Sequence, residues 1–223
     1  MIPWVCLDTA TIPDGGELRL MRRGAELSIM SGTTELMNSR LSGSEKALAD
    51  LTISRLASRM KPRVLIGGLG MGFTLRAALA ALPSDAEVVV AELVPAVVAW
   101  ARGPMAGLFE GCLDDPRVTV SEADVAEVMG KARAAFDAIL LDVDNGPGGL
   151  NRDANDQLYS AGGLHAAKRA LRPGGVLAVW SAGPDHGFTR RLQGAGYAAE
   201  EVPVRATGGR RGARHVIWLA SPR

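Results

Sequence analysis

The sequence predicts an α/β fold in which a seven-stranded, mostly parallel sheet carries helices on both faces, preceded by a short N-terminal β-hairpin and a helix. From residue 63 onward, short apolar segments alternate with segments of helical periodicity. The apolar segments are nearly continuous Val, Ile, Leu and Ala, which is typical of strands buried on both faces of a parallel sheet. No helix is predicted between the last two strands, so one of them is expected to run antiparallel.

The amino-acid composition argues against several classes of function. The chain has 223 residues, 47% of them hydrophobic, enough to bury the core of one domain with a small appendage. Its 25 basic and 24 acidic residues leave a net charge of +1, so no overall field favours nucleic acid or an anionic membrane. Cys6 and Cys112 have no metal or redox spacing, and no apolar stretch reaches the ~20 residues of a membrane span. We expect a cytoplasmic protein without a metal, a signal peptide or a transmembrane segment.

Residues 1–41 are predicted to form a small β element, and residues 42–223 the catalytic domain. Within the first part, "ELRLMRRGAELSIMS" places apolar residues at alternate positions on both sides of Gly24, which predicts a hairpin. The hairpin is too small to be stable alone.

A helix is predicted to follow the hairpin. Ser42 and Glu45 have the spacing of a capping box, and an apolar face continues as far as Met60. Pro62 is expected to end the helix.

The later elements follow in a regular order. The predicted strands are 64–67, 87–91, 118–120, 138–141, 176–180, 200–204 and 215–220. The predicted helices are 73–82, 94–105, 124–132, 158–171 and 186–195.

The first predicted strand-to-helix turn is rich in glycine. In "RVLIGGLGMGFTLR", Gly68, Gly70 and Gly72 fall where an open α/β sheet lets backbone approach a ligand. The start of the helix would favour a negatively charged group, either a pyrophosphate or a carboxylate. Glycines also serve tight turns that bind nothing, so the motif alone does not decide between these functions.

Acidic residues end the next two strands. Glu92 follows the apolar strand "VVVA" about twenty residues after the glycines, where a carboxylate can accept both hydroxyls of a ribose. Asp124 is equally suited to cap a helix or to accept the exocyclic amine of adenine. Leu93 and Val125, the residues after them, complete the predicted nucleoside site.

The fourth strand ends in a cluster of polar residues. In "FDAILLDVDNGPGGLNRD", Asp142, Asp144 and Asn145 precede a loop rich in glycine. Carboxylates at this edge can hold a cationic substrate or remove a proton from an amine, and the loop could close over them. A solvated turn is the alternative. We predict Asp142 and Asp144 as catalytic residues.

These segments together resemble a family. "VLIGGLGMGFTLR", "AELVP", "DDPRVTVSEAD" and "FDAILLDVDNGP" occur in the order found in spermidine synthases and their relatives, over about residues 40–182. The resemblance implies the Rossmann-like sheet of class I S-adenosylmethionine enzymes. It also implies a donor, S-adenosylmethionine or its decarboxylated form, with Glu92 on the ribose, Asp124 on adenine and Asp142 in catalysis.

The chain departs from the family at three places. Met71 stands where the family has an aspartate between the second and third glycines, and Asn145 replaces the second acidic residue of the fourth-strand motif. Gly43, Ser44 and Glu45 stand at the family's Tyr-His-Glu, so only the glutamate is kept. Each loss removes a charge-assisted contact worth ~1.5–3 kcal/mol.

Three functions are therefore weighed. Methyl transfer from S-adenosylmethionine to a small acceptor is ranked first, because it needs fewer carboxylates. Aminopropyl transfer in polyamine synthesis is second, and a non-catalytic nucleoside-binding or association protein is third. The acceptor is expected to be a small molecule, an amine being one candidate, and a homodimer is one candidate assembly.

The predicted acceptor-site residues are Glu45, Asn145 and His186, which follows the fifth strand. His165 and His215 are expected to be structural or exposed. Trp180 and Trp218 are expected to pack in the core.

Overall fold

The N-terminal part forms a four-stranded antiparallel sheet. The computed structural model describes residues 2–12, 15–56, 59–143, 146–147, 157–209 and 212–223. The strands lie in the order β1-β2-β3-β4. They are β1 (Val5–Thr11), β2 (Glu17–Arg23), β3 (Glu26–Ser31) and β4 (Thr34–Asn38).

The predicted hairpin is confirmed as β2 and β3, but it is the centre of a larger sheet. Four of its apolar side chains are buried: Leu18, Leu20, Leu27 and Ile29. The outer strands were not predicted because most side chains of β1 are exposed and those of β4 are exposed or half-buried, so neither shows a strong apolar alternation.

Helix α1 (Gly43–Ser54) begins after Ser42, as predicted, but ends earlier than predicted. It ends well before Met60, which is 89% exposed, so that residue does not belong to the apolar face. The predicted capping box is wrong, because the Ser42 side chain makes no capping hydrogen bond. The Glu45 carboxylate instead accepts a hydrogen bond from Ser44 Oγ at 2.7 Å.

The seven-stranded sheet follows the prediction. All of its strands are parallel except β11, which runs antiparallel to both β9 and β10. The spatial order is β10-β11-β9-β8-β5-β6-β7, so the chain reverses direction across the sheet beside β5. The strands are β5 (Arg63–Gly67), β6 (Glu87–Glu92), β7 (Val118–Glu122), β8 (Phe136–Leu141), β9 (Leu171–Ser181), β10 (Tyr197–Arg205) and β11 (Arg214–Pro222).

Helices cover both faces of this sheet and separate its core into two apolar clusters. One cluster includes residues of α1, α2 and α3 together with β2 and β3. The other includes residues of α5, α6 and α7. The helices after α1 are α2 (Phe73–Ala81), α3 (Pro95–Arg102), α4 (Ala106–Phe109), α5 (Val125–Lys131), α6 (Ala161–Ala170) and α7 (His186–Gly194). The predicted α/β class is confirmed.

The N-terminal sheet is attached to the central sheet by packing and by a hydrogen bond. Leu20 and Ile29 belong to the same apolar cluster as Val64 of β5. Trp100 Nε1 of α3 donates to Asp8 Oδ2 of β1 at 2.6 Å. The division of the chain at residue 41 stays a prediction, because this shared core joins the two parts.

Two further expectations concern the core and the helices. Trp180 and Trp218 are buried, as predicted, and Trp218 packs edge to face against Phe188 at 5.0 Å between ring centroids. Within the described ranges, no helix is long and apolar enough to cross a membrane.

The "DPRV" segment is a structural clamp. Arg117 donates to both oxygens of Asp115, at 3.0 and 2.8 Å, and its Nη1 lies 3.1 Å from the carbonyls of Leu79 and Leu82. Those carbonyls belong to the C-terminal end of α2, where the helix leaves backbone acceptors without partners. The segment therefore joins the start of β7 to the end of α2.

The clamp predicts a pH-dependent contribution to stability. The hydrogen bonds from Arg117 lower the pKa of Asp115 to about 2, below the ordinary value of an aspartate. Because the folded-state pKa is the lower one, this stabilisation is present above about pH 4 and is lost as the pH falls toward 2. We expect Asp115→Asn to lower the urea midpoint of unfolding at pH 6 and to have a smaller effect at pH 3.

The matched control is Asp114→Asn, because the carboxylate of Asp114 is 80% exposed in its ion pair with Arg102. It should change the midpoint little at either pH. An equal effect of Asp115→Asn at both pH values would contradict the assignment.

Candidate active site

A cavity of about 320 Å³ lies at the carboxyl ends of the central strands, beneath the N-terminal sheet. In an open α/β sheet, ligands bind at this edge, beside the point where the strand order reverses. The N-terminal sheet supplies the opposite wall, including Leu18, Ile29, Leu36 and Met37. The floor is formed by Gly68, Gly70, Ala91, Glu92, Leu93, Val94, Val97, Asp124, Val125, Asp142 and Val143.

The three glycines of the turn have different environments. All three have positive φ angles, +90° at Gly68, +50° at Gly70 and +77° at Gly72. A Cβ on Gly68 would lie 2.3 Å from the Asp142 carbonyl oxygen, and one on Gly72 would lie 2.5 Å from the Phe109 ring. Gly68 and Gly70 line the cavity, whereas Gly72 packs against Phe109 at the start of α2.

Glu92 is held rigidly at the end of β6. It is 8% exposed, and its two oxygens accept hydrogen bonds from the backbone N–H groups of Leu69 and Val94, each at 2.9 Å. A carboxylate has about four acceptor sites, so further donors can bind the same oxygens. The side chain is therefore fixed between the glycine turn and the start of α3, where the residue lines the cavity.

Asp124 takes the first of the two roles weighed for it, that of a helix cap, and it also lies at the cavity. Its Oδ1 accepts from the Ala126 N–H at 2.7 Å, so it caps α5. The residue also lines the cavity, as do Leu93 and Val125. Capping occupies one oxygen, which leaves acceptor capacity for a ligand.

Asp142 lines the cavity, and its carboxyl group interacts electrostatically with that of the predicted acceptor-site residue Glu45, which is not one of the lining residues. Asp142 lies at the end of β8, and its Oδ2 accepts from Thr74 Oγ1 of α2 at 2.5 Å. Burial and the negative charge of Glu45 raise the pKa of Asp142 to about 7, although the Thr74 hydrogen bond opposes this. Burial also raises the pKa of Glu45. Like charges in one site disfavour simultaneous ionisation, so near neutral pH the pair can take up or release a proton.

Ser44, Thr74 and His215 were missed as site residues. His215 Nδ1 lies 2.9 Å from Ser44 Oγ, and the imidazole packs edge to face on Trp180 at 4.8 Å between centroids. His215 was expected to be structural or exposed; it is half-buried and reaches the helix that carries Glu45. The two bonded residues are 171 positions apart, so no local pattern in the sequence could indicate the contact.

Other predicted site residues are not brought to the cavity. His186 is exposed at the first residue of α7 and does not line the cavity. Met71 is buried in the core. Asp144 and Asn145 lie outside the described residues. Of the side chains that the structure describes, no three His, Cys, Asp or Glu residues are grouped to hold a metal ion.

A larger, shallower cleft of about 780 Å³ lies beside α2, between Lys46 of α1 and Arg117. It contains neither Glu92, Asp124 nor Asp142, and it lies away from the carboxyl edge of the strands. The smaller cavity is therefore the better candidate for chemistry.

Comparisons with known proteins give a family match and similar relatives. The spermine/spermidine synthase domain matches residues 48–184, more than half of the chain. The polyamine aminopropyltransferase 1 of Streptomyces coelicolor is 32% identical over 149 residues, which cover 63% of this chain and 27% of that protein. The polyamine aminopropyltransferase of Mycobacterium tuberculosis is 35% identical over 150 residues, with 63% and 28% coverage. The chain thus matches little more than a quarter of the length of these curated relatives.

The fold has a solved counterpart. The crystal structure of spermidine synthase from Thermotoga maritima superimposes with a TM-score of 0.78, over 98% of this chain and 73% of that one. The two sequences are 20% identical, so this likeness concerns the fold.

Proposed function

We propose aminopropyl transfer to a small amine, from the premise that the chain belongs to the spermine/spermidine synthase domain family. The donor would be decarboxylated S-adenosylmethionine. This reverses the order favoured by the sequence, which put methyl transfer first; the relatives named as polyamine aminopropyltransferases support the alternative better.

The observation that carries the proposal is Asp142, a carboxyl group that lines the cavity and interacts electrostatically with Glu45. An amine attacks a sulfonium-bound carbon only after losing its proton, so the site needs a base that is active near neutral pH. The pKa of Asp142, raised to about 7, is suited to this task. The negative charge of the ionised pair would also attract an ammonium group.

The uncharged side chain of Met71 is a weaker objection to aminopropyl transfer than the sequence alone suggested. Met71 is buried in the core and is not one of the residues that line the cavity. Its thioether therefore does not present an uncharged wall to the donor. In our proposal, Asp142, which lines the cavity, supplies the negative charge that holds the aminopropyl ammonium, and Glu45 adds to that charge from outside the lining.

The other end of the cavity would bind the nucleoside. We assign the ribose hydroxyls to Glu92 and the adenine amine to Asp124, with Leu93 and Val125 as apolar walls. Gly68 and Gly70 would let the donor approach the backbone closely.

The proposal is tested by incubating the protein with decarboxylated S-adenosylmethionine and putrescine, and following methylthioadenosine release over many turnovers. A parallel reaction supplies S-adenosylmethionine with the same amine and follows S-adenosylhomocysteine. Multiple turnovers in the first reaction are expected. Turnover only in the second would replace aminopropyl transfer with methyl transfer.

The assignment of Glu92 makes a separate prediction. Glu92→Ala should weaken methylthioadenosine binding by roughly tenfold to a hundredfold, about 1.4–2.8 kcal/mol, because the ribose hydroxyls lose their acceptor. Calorimetric titration of the folded variant measures this loss.

Glu122→Ala is the matched control, because Glu122 is the register partner of Glu92 on β7 but is exposed and outside the cavity. It should bind like the unaltered protein. Unchanged affinity in Glu92→Ala would remove the ribose assignment. Glu92→Gln, which keeps one oxygen acceptor for the backbone N–H groups, separates ligand binding from distortion of the turn.

A further inference from the structure

We propose that Ser44 and His215 form a proton exit path from the carboxylate pair to solvent. The hydroxyl of Ser44 lies between two titratable groups, at 2.7 Å from Glu45 Oε2 and 2.9 Å from His215 Nδ1. Ser44 itself is buried, whereas the imidazole is half-buried and reaches solvent. The path therefore leads from the interior of the site outward, through residues of α1 and β11.

Counting protons shows that this chain of contacts has two states. A serine hydroxyl has one proton and can donate only once. When Ser44 donates to the Glu45 carboxylate, its oxygen accepts a proton held on His215 Nδ1. When Glu45 is protonated and donates to Ser44, the hydroxyl donates to an unprotonated Nδ1. Passing from the second state to the first moves one proton from Glu45 to His215 with no movement of heavy atoms.

The proposed reaction needs such a path, and this inference rests on that proposed function. An acceptor amine that arrives as an ammonium gives one proton to the carboxylate pair. Its nitrogen then forms a bond to the aminopropyl carbon, the bond from that carbon to sulfur breaks, and the sulfur keeps the electron pair. One proton remains in the site after each transfer, and the pair must lose it before it can accept another.

The surroundings of the path favour proton passage outward. On α1, Lys46 is a cation that acts on Glu45 and favours its ionised form. On β9, Trp180 contributes an uncharged ring against the imidazole. On the strands beside His215, the register partner is Val204, and Arg205 pairs with Arg214. Burial lowers the pKa of the His215 imidazole, which favours release of a proton from it.

The direct test needs no substrate. The tautomer and titration of each histidine are measured by ¹⁵N NMR in the unaltered protein, in Glu45→Gln and in Ser44→Ala. We expect His215 to titrate at lower pH in Glu45→Gln, because the anion that stabilises its imidazolium is gone. Ser44→Ala should change the proton distribution between Nδ1 and Nε2. The chain has three histidines, and His165 and His186 are internal controls that should not move.

The kinetic test uses His215→Gln, whose amide can still donate to Ser44 but cannot carry a proton onward. We expect kcat to fall about tenfold to a hundredfold, with KM for the amine and affinity for methylthioadenosine unchanged. External imidazole should restore part of the kcat of His215→Ala in proportion to its free-base concentration. A purely structural role would not produce this pH-dependent rescue.

The two tests distinguish failure of the proposed function from failure of the proton exit path. No aminopropyl transfer by the unaltered protein would count against the proposed function alone, because the NMR test requires no turnover. A His215 titration that is unaffected by Glu45→Gln and Ser44→Ala would overturn the path. An unaltered kcat in His215→Gln would overturn it as well.

Discussion

Asp142→Asn is expected to lower kcat for aminopropyl transfer by roughly 10²- to 10⁴-fold, the range lost when a general base is removed. The amide keeps an oxygen that can accept from Thr74, so the hydrogen bond from α2 to β8 can persist. It cannot take a proton from the amine. Methylthioadenosine binding should stay within about threefold, because the nucleoside contacts assigned to Glu92 and Asp124 are unchanged.

The pH profile gives this prediction a second measurement. With the pKa of Asp142 near 7, kcat should rise as the pH increases through neutrality, because the deprotonated carboxylate is the active form. That limb of the profile should be absent from the residual activity of Asp142→Asn. Because Asp142 and Glu45 interact electrostatically, the pH at which kcat rises belongs to the titration of both carboxyl groups together rather than to one of them.

The thermal stability of Asp142→Asn shows whether a loss of turnover results from misfolding. The folded-state pKa of Asp142 is raised above the ordinary value of an aspartate, so its ionisation lowers the stability of the folded protein as the pH rises from about 4 through about 7. Asp142→Asn should therefore raise the Tm at pH 8 and change it little at pH 4. A variant that loses turnover while gaining stability cannot be inactive through unfolding. Retained turnover would remove Asp142 as the base.

The elements of the central sheet could be predicted because local patterns determine them. Strand β8, for example, is buried over its whole length, and most of it appears in the sequence as a continuous apolar segment. β1 and β4 lack that signal because tertiary pairing stabilises them, with few buried side chains of their own. The spacing of Ser42 and Glu45 predicted a cap, but the Glu45 carboxylate accepts a hydrogen bond from Ser44 instead.

The candidate site also contains some residues that the sequence could predict and others that it could not. Glu92 and Asp142 could be found because each follows an apolar strand, and the carboxyl ends of parallel strands share one edge. The contact between His215 and Ser44 depends on β11 packing beside α1, which no local motif encodes. Gly72, like Gly70, is a glycine with a positive φ, yet Phe109 rather than the cavity lies against it. The residue types of a turn therefore predict its backbone conformation. They predict less well which residues of the turn line a cavity and which pack against the protein.

Gly70→Val is expected to abolish measurable methylthioadenosine binding, with affinity reduced at least about a hundredfold, an effect of ~2.8 kcal/mol or more. Gly70 lines the cavity, and a Cβ there would lie 3.0 Å from Met37 Sδ of β4. The side chain would thus fill the space between the glycine turn and the N-terminal sheet. Isothermal titration calorimetry measures the loss, and circular dichroism checks that the fold persists.

The matched control for Gly70→Val is Gly111→Val. Gly111 also has a positive φ, +78°, but a Cβ there meets no atom within 4 Å and the residue lies outside the cavity. Both substitutions place a β-branched residue in the left-handed region, at a cost of ~1–3 kcal/mol in stability. Only Gly70→Val should lose the ligand. Adding Met37→Ala to Gly70→Val should not restore binding, because the valine itself occupies the ligand's space; full restoration would show that the glycine serves the packing of β4 and not the donor.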